Sequence, residues 1–168
     1  MTLKTLLAVS SLTLAAVAFQ PEAQAASFRH AAGFFCGFNG GEANPRIRPG
    51  EYRAAFNIRN AGRRSATVDL ELALTFPPGA DFTPGAVVPL QSVTLAPGEA
   101  VMIDCSELQA AANAAPPYIA GILEVRGPRD LDVTLIHTAG ADEGSVATLA
   151  VTQVEGERVR GRGDDDDD

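Results

Sequence analysis

Three features of the sequence predict an all-β fold. In several runs apolar and polar residues alternate with a period of two, which is typical of strands with one buried and one wet face. Clusters of proline and glycine separate these runs at spacings of roughly 10–15 residues. Nothing in the chain has the length of the helical crossover that a parallel sheet needs. We therefore predict an antiparallel β-sandwich of about seven to nine strands.

The clearest strand is expected at residues 66–76, where Val68 and every second residue after it are apolar. Asp69 and Glu71 point the other way, whereas a helix would mix the two kinds of side chain on one side. Residues 52–58 alternate in the same manner. Because the link between the two runs is short and turn-like, we expect them to form a hairpin.

Turn residues delimit the remaining strands. Pro77-Pro78-Gly79 ends the run described above, and Ala96-Pro97-Gly98-Glu99 separates two later ones. Gly127-Pro128-Arg129-Asp130 lies between two further runs, which are expected to form a second hairpin. The additional strands expected are 87–95, 100–104, 118–126, 131–138, 146–154 and one within 27–38.

One short helix is expected near residues 105–112. Asp104 or Ser106 can cap its start, and Glu107 is favourable in its first turn. Pro116-Pro117 closes it off. With so little helix, an immunoglobulin-like β-sandwich without the buried tryptophan of that fold is the preferred arrangement, and a small closed barrel is the alternative.

Several turn and core-strand segments also carry a resemblance to known proteins. The segments are Pro49-Gly50-Glu51-Tyr52, Asn57-Ile58-Arg59-Asn60, Leu95-Ala96-Pro97-Gly98-Glu99-Ala100, Ile103-Asp104-Cys105, Gly121-Ile122-Leu123-Glu124, Asp130-Leu131-Asp132-Val133 and His137-Thr138-Ala139. They resemble an uncharacterised family of small exported bacterial proteins with an immunoglobulin-like β-sandwich. The resemblance covers about residues 36–154. Because its motifs are turns and strands, it implies a fold and no active site.

Residues 1–25 are expected to be a secretory signal peptide of bacterial style. Lys4 supplies the positive start, and Ala23-Gln24-Ala25 is a small-x-small cleavage pattern. The alternative is a membrane anchor, but the apolar run 5–19 is shorter than the roughly 20 residues that a bilayer span needs. We therefore predict a secreted or periplasmic protein with no membrane span after cleavage, whose β-sandwich domain comprises residues 26–154.

Cys36 and Cys105 are the two cysteines of the chain. Disulfides persist in oxidising compartments, so we expect these residues to form one. The bridge closes a long loop in the unfolded chain, and chain entropy alone makes this worth about 4 kcal/mol. The alternative is two free or intermolecular thiols. A redox-active pair does not fit the wide spacing, because such pairs are usually Cys-x-x-Cys.

The charges are unevenly distributed along the chain. There are 13 basic and 21 acidic residues, a net charge of −8, which argues against nucleic acid as a partner. Residues 155–168 have few apolar side chains and are expected to form a disordered charged tail. The poly-Asp end of the tail attracts divalent cations weakly but lacks the alternating geometry of a calcium loop. Its residues are Asp164, Asp165, Asp166, Asp167 and Asp168.

Arginines are concentrated in the first part of the chain that follows the expected signal. The candidate binding face comprises Arg46, Arg48, Arg53, Arg59, Arg63 and Arg64. Such a face fits an anionic glycan of the envelope or an acidic envelope protein. The alternative is a solvated sheet face whose arginines pair with acids on other strands.

Histidine-based chemistry has few candidates. His30 and His137 are the only histidines of the chain, and no local spacing brings Cys36 to either of them. A zinc site needs three or four ligands. His137 continues the apolar face of the strand at 131–138, so we expect a partly buried strand residue. There is no nucleophile elbow and no phosphate-binding loop, and we predict no catalytic, metal or cofactor-binding residues.

The expected function is that of a non-enzymatic envelope or extracellular interaction module, which binds through loops or an exposed sheet edge. Two alternatives stay open. One is a small hydrolase or metal-dependent enzyme whose site is assembled in three dimensions, and a pocket that holds both histidines would favour it. The other is a subunit that exchanges a strand in a surface assembly, which a concentration-dependent oligomer would support.

Overall fold

The structure is a computed structural model that describes residues 27–41, 47–75, 85–113, 118–141 and 148–159. The elements within those ranges are β1 (Ser27–Asn39), β2 (Gly50–Arg59), β3 (Ala66–Thr75), β4 (Val87–Leu95), β5 (Ala100–Asp104), α1 (Cys105–Ala111), β6 (Tyr118–Gly127), β7 (Asp132–Gly140), β8 (Thr148–Val154) and β9 (Gly156–Val159). All strand pairings among them are antiparallel, which confirms the predicted all-β antiparallel class. The expected signal peptide, Arg46 and the poly-Asp end lie outside the described residues.

The strands follow the order β4-β3-β6-β1-β2-β7-β8, with β5 also beside β2 and β9 also beside β1. We call β4, β3, β6, β1 and β9 the first half, and β5, β2, β7 and β8 the second half. Only three residue pairs join β1 to β2, from Gly37 with Tyr52 to Asn39 with Gly50. The described sheet is therefore narrowest at this junction, and packing of side chains has to hold the halves together.

The two halves share one hydrophobic core. Phe34 of β1 and Phe56 of β2 are almost fully buried and meet edge to face, with ring centroids 6.4 Å apart. The other buried members are Cys36, Ala54, Ile58, Ala66, Val68, Leu70, Leu72, Leu95, Ile103, Leu108, Ile119, Leu123, Val125, Leu131, Val133, Leu135 and Val154. Both halves and the helix contribute to this set, so removing their apolar surface from water is the main force that keeps them together.

Both expected hairpins are wrong. β2 pairs with β1, β5 and β7, whereas β3 pairs with β4 and β6. Likewise β6 lies in the first half and β7 in the second. Each short link crosses from one half to the other instead of turning back beside its own strand. A hairpin and a crossing link both fit the alternation of apolar and polar residues, because in either case each strand points one face into the shared core.

Asn60 fixes the corner at which the chain leaves β2 for β3, and its side chain is fully buried. The Nδ2 group donates to the carbonyls of Arg64 and Leu95, at 2.8 and 2.9 Å. The Oδ1 atom accepts from the N–H of Gly62 at 3.0 Å. The backbone of Asn60 pairs with the turn between β4 and β5. One residue thus satisfies polar groups of two connecting segments.

Helix α1 begins at a complete capping box. Asp104 is the N-cap: its carboxylate accepts from the N–H of Ser106, and Glu107 accepts from the N–H of Asp104. The structure therefore selects Asp104 from the two expected caps. The Ser106 hydroxyl also donates to Asp104, and this bond is the main reason that the pKa of Asp104 lies below its ordinary value. The buried side chain of Leu108 packs the helix against the core.

The predicted disulfide is confirmed. Cys36 of β1 and Cys105, the first residue of α1, are bonded with their Cα atoms 5.4 Å apart. The Sγ atom of Cys105 also accepts from the N–H of Ala54 at 3.1 Å. The bond joins the first half to the helix that follows β5 of the second half, close to the narrow junction of β1 and β2.

Strand β9 corrects the expected boundary of the charged tail. The scarcity of apolar residues predicts disorder for residues 155–168, but residues 156–159 pair with Ser27–His30 of β1. Gly156 permits this pairing, since a Cβ there would lie 2.5 Å from Asp130 Oδ1 and 2.6 Å from His30 Cε1. A glycine at this position therefore allows the backbone of β9 to approach the buried ring closely.

The helices in the described ranges offer no segment that is both long and apolar enough to cross a membrane.

We expect Asn60→Ala to lower the free energy of unfolding by about 2 kcal/mol, because it removes three side-chain bonds and leaves the buried Leu95 carbonyl without its partner. Chemical denaturation followed by circular dichroism measures this. Asn57→Ala, on the outward face of β2, is the matched control and should change the value by less than about 0.5 kcal/mol. Equal effects at the two positions would contradict the role of the corner.

We expect Gly156→Ala to lower the free energy of unfolding by about 1–3 kcal/mol, since the added methyl group overlaps the ring of His30. Hydrogen exchange should accelerate at the β1–β9 pairs. Gly33→Ala on β1 is the control: the nearest atom to its Cβ is 3.8 Å away, so stability should be unchanged. A Gly156→Ala variant as stable as Gly33→Ala would show that the close approach is not needed.

Candidate functional site

A wide cleft lies on the outward face of the second half. It has a volume of about 710 Å³. We call it the outer cleft; it is lined by Gly37, Phe38, Glu51, Tyr52, Arg53, Ala54, Ala55, Met102, Asp104, Cys105, Ser106, Gln109, Ile136 and Thr138. Its floor follows from strand register, because Ala55 lies opposite Asp104 of β5 and Ile136 of β7. Residues opposite one another in antiparallel strands point to the same face.

Apolar side chains at the rim of the outer cleft are exposed. Phe38, at the end of β1, is 43% exposed, and Met102 of β5 is 56% exposed. Neither is needed to fill the core. Met102 alternates with the inward-facing Val101 and Ile103, so an apolar residue occupies a position that should face water. Exposed apolar groups around a concave surface are typical of binding sites.

The ionisable groups of the outer cleft are Glu51, Arg53 and Asp104. The guanidinium Nε of Arg53 lies 3.4 Å from Glu51 Oε1, and Arg53 is largely exposed. The Asp104 carboxylate accepts a hydrogen bond from Ser106, which lowers its pKa further below neutral. Two carboxylates and one guanidinium give this surface no excess of positive charge. An anionic ligand therefore gains little electrostatic attraction here.

The described arginines of the candidate binding face are spread along β2 and the segments on either side of it. Arg53 and Arg59 point outward from β2, and Arg59 lies 3.7 Å from Asp132. Arg48 precedes β2, whereas Arg63 and Arg64 follow it in an exposed link. A strand of this length spans about 30 Å, so Arg48 is at one end and the other two are at the opposite end. Of the described members, only Arg53 lines the outer cleft.

His30 is almost fully buried and is bonded on both ring nitrogens. Nδ1 lies 3.0 Å from the carbonyl of Val154, and Nε2 accepts from the N–H of Leu131 at 3.4 Å. Because the carbonyl can only accept, the neutral ring carries its proton on Nδ1. Asp130 Oδ1 is 3.4 Å from Nε2. The ring connects β1, the end of β8 and the β6–β7 link, which is a structural role.

His137 occupies a separate, smaller cavity of about 160 Å³ under β8. As expected from its strand face, it is partly buried. The cavity is lined by Phe35, Tyr52, Arg53, Thr138, Ala139, Thr148 and Ala150 as well as His137. The Nε2 atom is buried without a hydrogen-bond partner among the described residues. Burial lowers the pKa of His137, and no carboxylate of the described chain lines its cavity.

Within the described ranges, no group of three or more His, Cys, Asp and Glu side chains is arranged to hold a metal ion. The poly-Asp residues Asp164–Asp168 fall outside those ranges. Cys36 is closed in the disulfide and is unable to serve as a ligand beside either histidine.

No protein-family model and no curated protein matches the chain. Among solved structures, the chain is similar to the crystal structure of Thermotoga maritima 1070, with a TM-score of 0.47 and 12% sequence identity over 77% of this chain and 92% of that chain. At that TM-score the likeness supports neither a fold assignment nor a function. The resemblance to exported bacterial proteins stays a prediction.

The lowered pKa of His137 predicts a pH-dependent stability. The unfolded chain takes up a proton near the ordinary histidine pKa of about 6.5, before the folded chain does. Stability is therefore complete above that value, falls as the pH drops below it, and levels off below the folded pKa. Thermal unfolding between neutral and mildly acidic pH measures the fall, and His137→Gln should remove most of it. An NMR titration of the His137 ring with a midpoint at or above the ordinary value would contradict this account.

Proposed function

We propose that this chain is an exported, non-enzymatic interaction module with an immunoglobulin-like β-sandwich, and that its outer cleft binds a segment of an envelope or extracellular protein. The observation that carries the proposal is the outer cleft itself, with exposed Phe38 and Met102 on its rim. Its volume lies in the range of about 300–1,000 Å³ that is usual for ligand sites.

The sandwich part of the proposal is supported by the two halves and their common core. Short links that cross between halves, as from β2 to β3 and from β6 to β7, are typical of Greek-key sandwiches. Export is supported by the Cys36–Cys105 disulfide, because such bonds persist in oxidising compartments.

The surroundings of the histidines favour a binding role over a catalytic one. Both ring nitrogens of His30 are occupied by backbone groups, and Gly156 lies against the ring. His137 faces a cavity with no carboxylate among its described lining residues. A general acid or base needs access to substrate and a partner that adjusts its pKa. The surroundings of the two histidines do not support the hydrolase alternative.

The charges of the outer cleft favour a protein segment over an anionic glycan. Apolar groups at the rim offer a place for apolar side chains, while Glu51, Arg53 and Gln109 offer both donors and acceptors for a peptide backbone. An extended segment along the floor would lie over Ala55 and Ile136, where the small side chain of Ala55 leaves room. Direct ion pairing contributes little, because Arg53 already lies beside Glu51.

Site-specific photo-crosslinking tests the proposal. A photoreactive residue at Met102 of the mature chain should crosslink a defined envelope protein in intact cells. The same residue at Ile122, an exposed apolar position on the first half that is 41% exposed, is the matched control and should not. Crosslinks that are identical at the two positions, or absent at Met102, would overturn the proposal.

A further inference from the structure

Strand β8 is an open edge of the described sheet. Among the described residues it pairs with β7 alone. Residues 148–153 are exposed on both faces, and Leu149 and Val151 are 64% and 62% exposed. The segment Thr148–Val154 has no charge and no proline. Edge strands of monomeric proteins usually carry charged residues or proline, because these block the pairing of another strand with the open edge.

The other described edges are blunted. β4 contains Pro89 and has a register shift where it meets Leu70 and Glu71 of β3. β5 and β9 have only five and four residues. β8 is thus the edge on which an added strand finds a regular ladder of free backbone groups.

We propose that β8 of a second copy of this chain adds to this edge, antiparallel and about a twofold axis. The pattern of β8 is self-complementary in that arrangement. With Ala150 opposite Ala150 of the second copy, Leu149 lies opposite Val151 and Thr148 lies opposite Thr152. Apolar residues then meet on the outward face and threonines on the inward face, which are the favourable cross-strand pairs. Centring the pair on Val151 would instead place Leu149 against Gln153.

Charge does not oppose a second copy at this edge, although the chain as a whole carries a net charge of −8. β8 has no ionisable group, and the outward residues of β7 beside it, Thr134, Ile136 and Thr138, are uncharged. The ladder would join Ile136 and Val151 of one copy to Leu149 of the other in a single apolar row. A twofold contact of this kind uses the same patch on both copies and closes on itself, so it gives dimers and not filaments.

This dimer goes beyond the proposed function, because β8 and the outer cleft are different surfaces. Val151→Lys should weaken it, since the ammonium group would replace an apolar partner of Leu149. Val87→Lys is the matched control: Val87 is a 67% exposed valine on β4, the opposite edge.

Sedimentation velocity over a wide dilution series tests the proposal. We expect a concentration-dependent dimer of the mature chain, a dissociation constant raised at least about tenfold by Val151→Lys, and no change with Val87→Lys. Photo-crosslinking at Met102 should be the same in both variants, so a failure here is separable from a failure of the cleft.

Oxidative crosslinking of variants that carry one added cysteine, with the Cys36–Cys105 disulfide kept, tests the register without relying on the lysine variant. Ala150→Cys places two thiols opposite each other at the axis and should form an intermolecular disulfide. Val151→Cys should not, since its position faces Leu149. A chain that stays monomeric at every concentration, or a Val151→Cys variant that crosslinks as well as Ala150→Cys, would overturn the proposed pairing.

Discussion

Everything in this fold depends on holding two sheet halves together across a narrow junction. Only three residue pairs of β1 and β2 join them through backbone hydrogen bonding. The buried contact of Phe34 with Phe56 supplies apolar packing, and the Cys36–Cys105 bond supplies a covalent link beside it. Loss of apolar burial between the halves would leave two open sheets, each with its former core face in water.

The links between strands follow from the same requirement. A chain that crosses repeatedly between halves must bury polar backbone at each corner, and every such group needs a partner. Asn60 satisfies the corner after β2, and His30 accepts from the backbone at the corner before β7. These two polar side chains are buried for that reason. Both side chains stabilise connections between strands.

Local sequence patterns predicted the positions of the strands and the helix well, but they predicted poorly which strands pair with each other. Alternation around Val68 and the caps near Asp104 depend on adjacent residues, so the strands and the helix could be located from sequence. Pairing depends on which faces share the core, and a period of two is the same for a hairpin and for a crossing. β9 could not be predicted from a local pattern, because Gly156 approaches His30, a residue far away in the chain. The sequence gives one weak indication of the outer cleft, which is the apolar residue Met102 at a strand position that faces outward.

The pairing of Ser27 with Val159 has a mechanical consequence. These two residues are direct neighbours in antiparallel strands, at one corner of the described sheet. A load applied through Ser27 and Val159 would act on the β1–β9 ladder one pair at a time, beginning at this end. β9, with only four residues, would therefore be the first described strand to separate from the sheet.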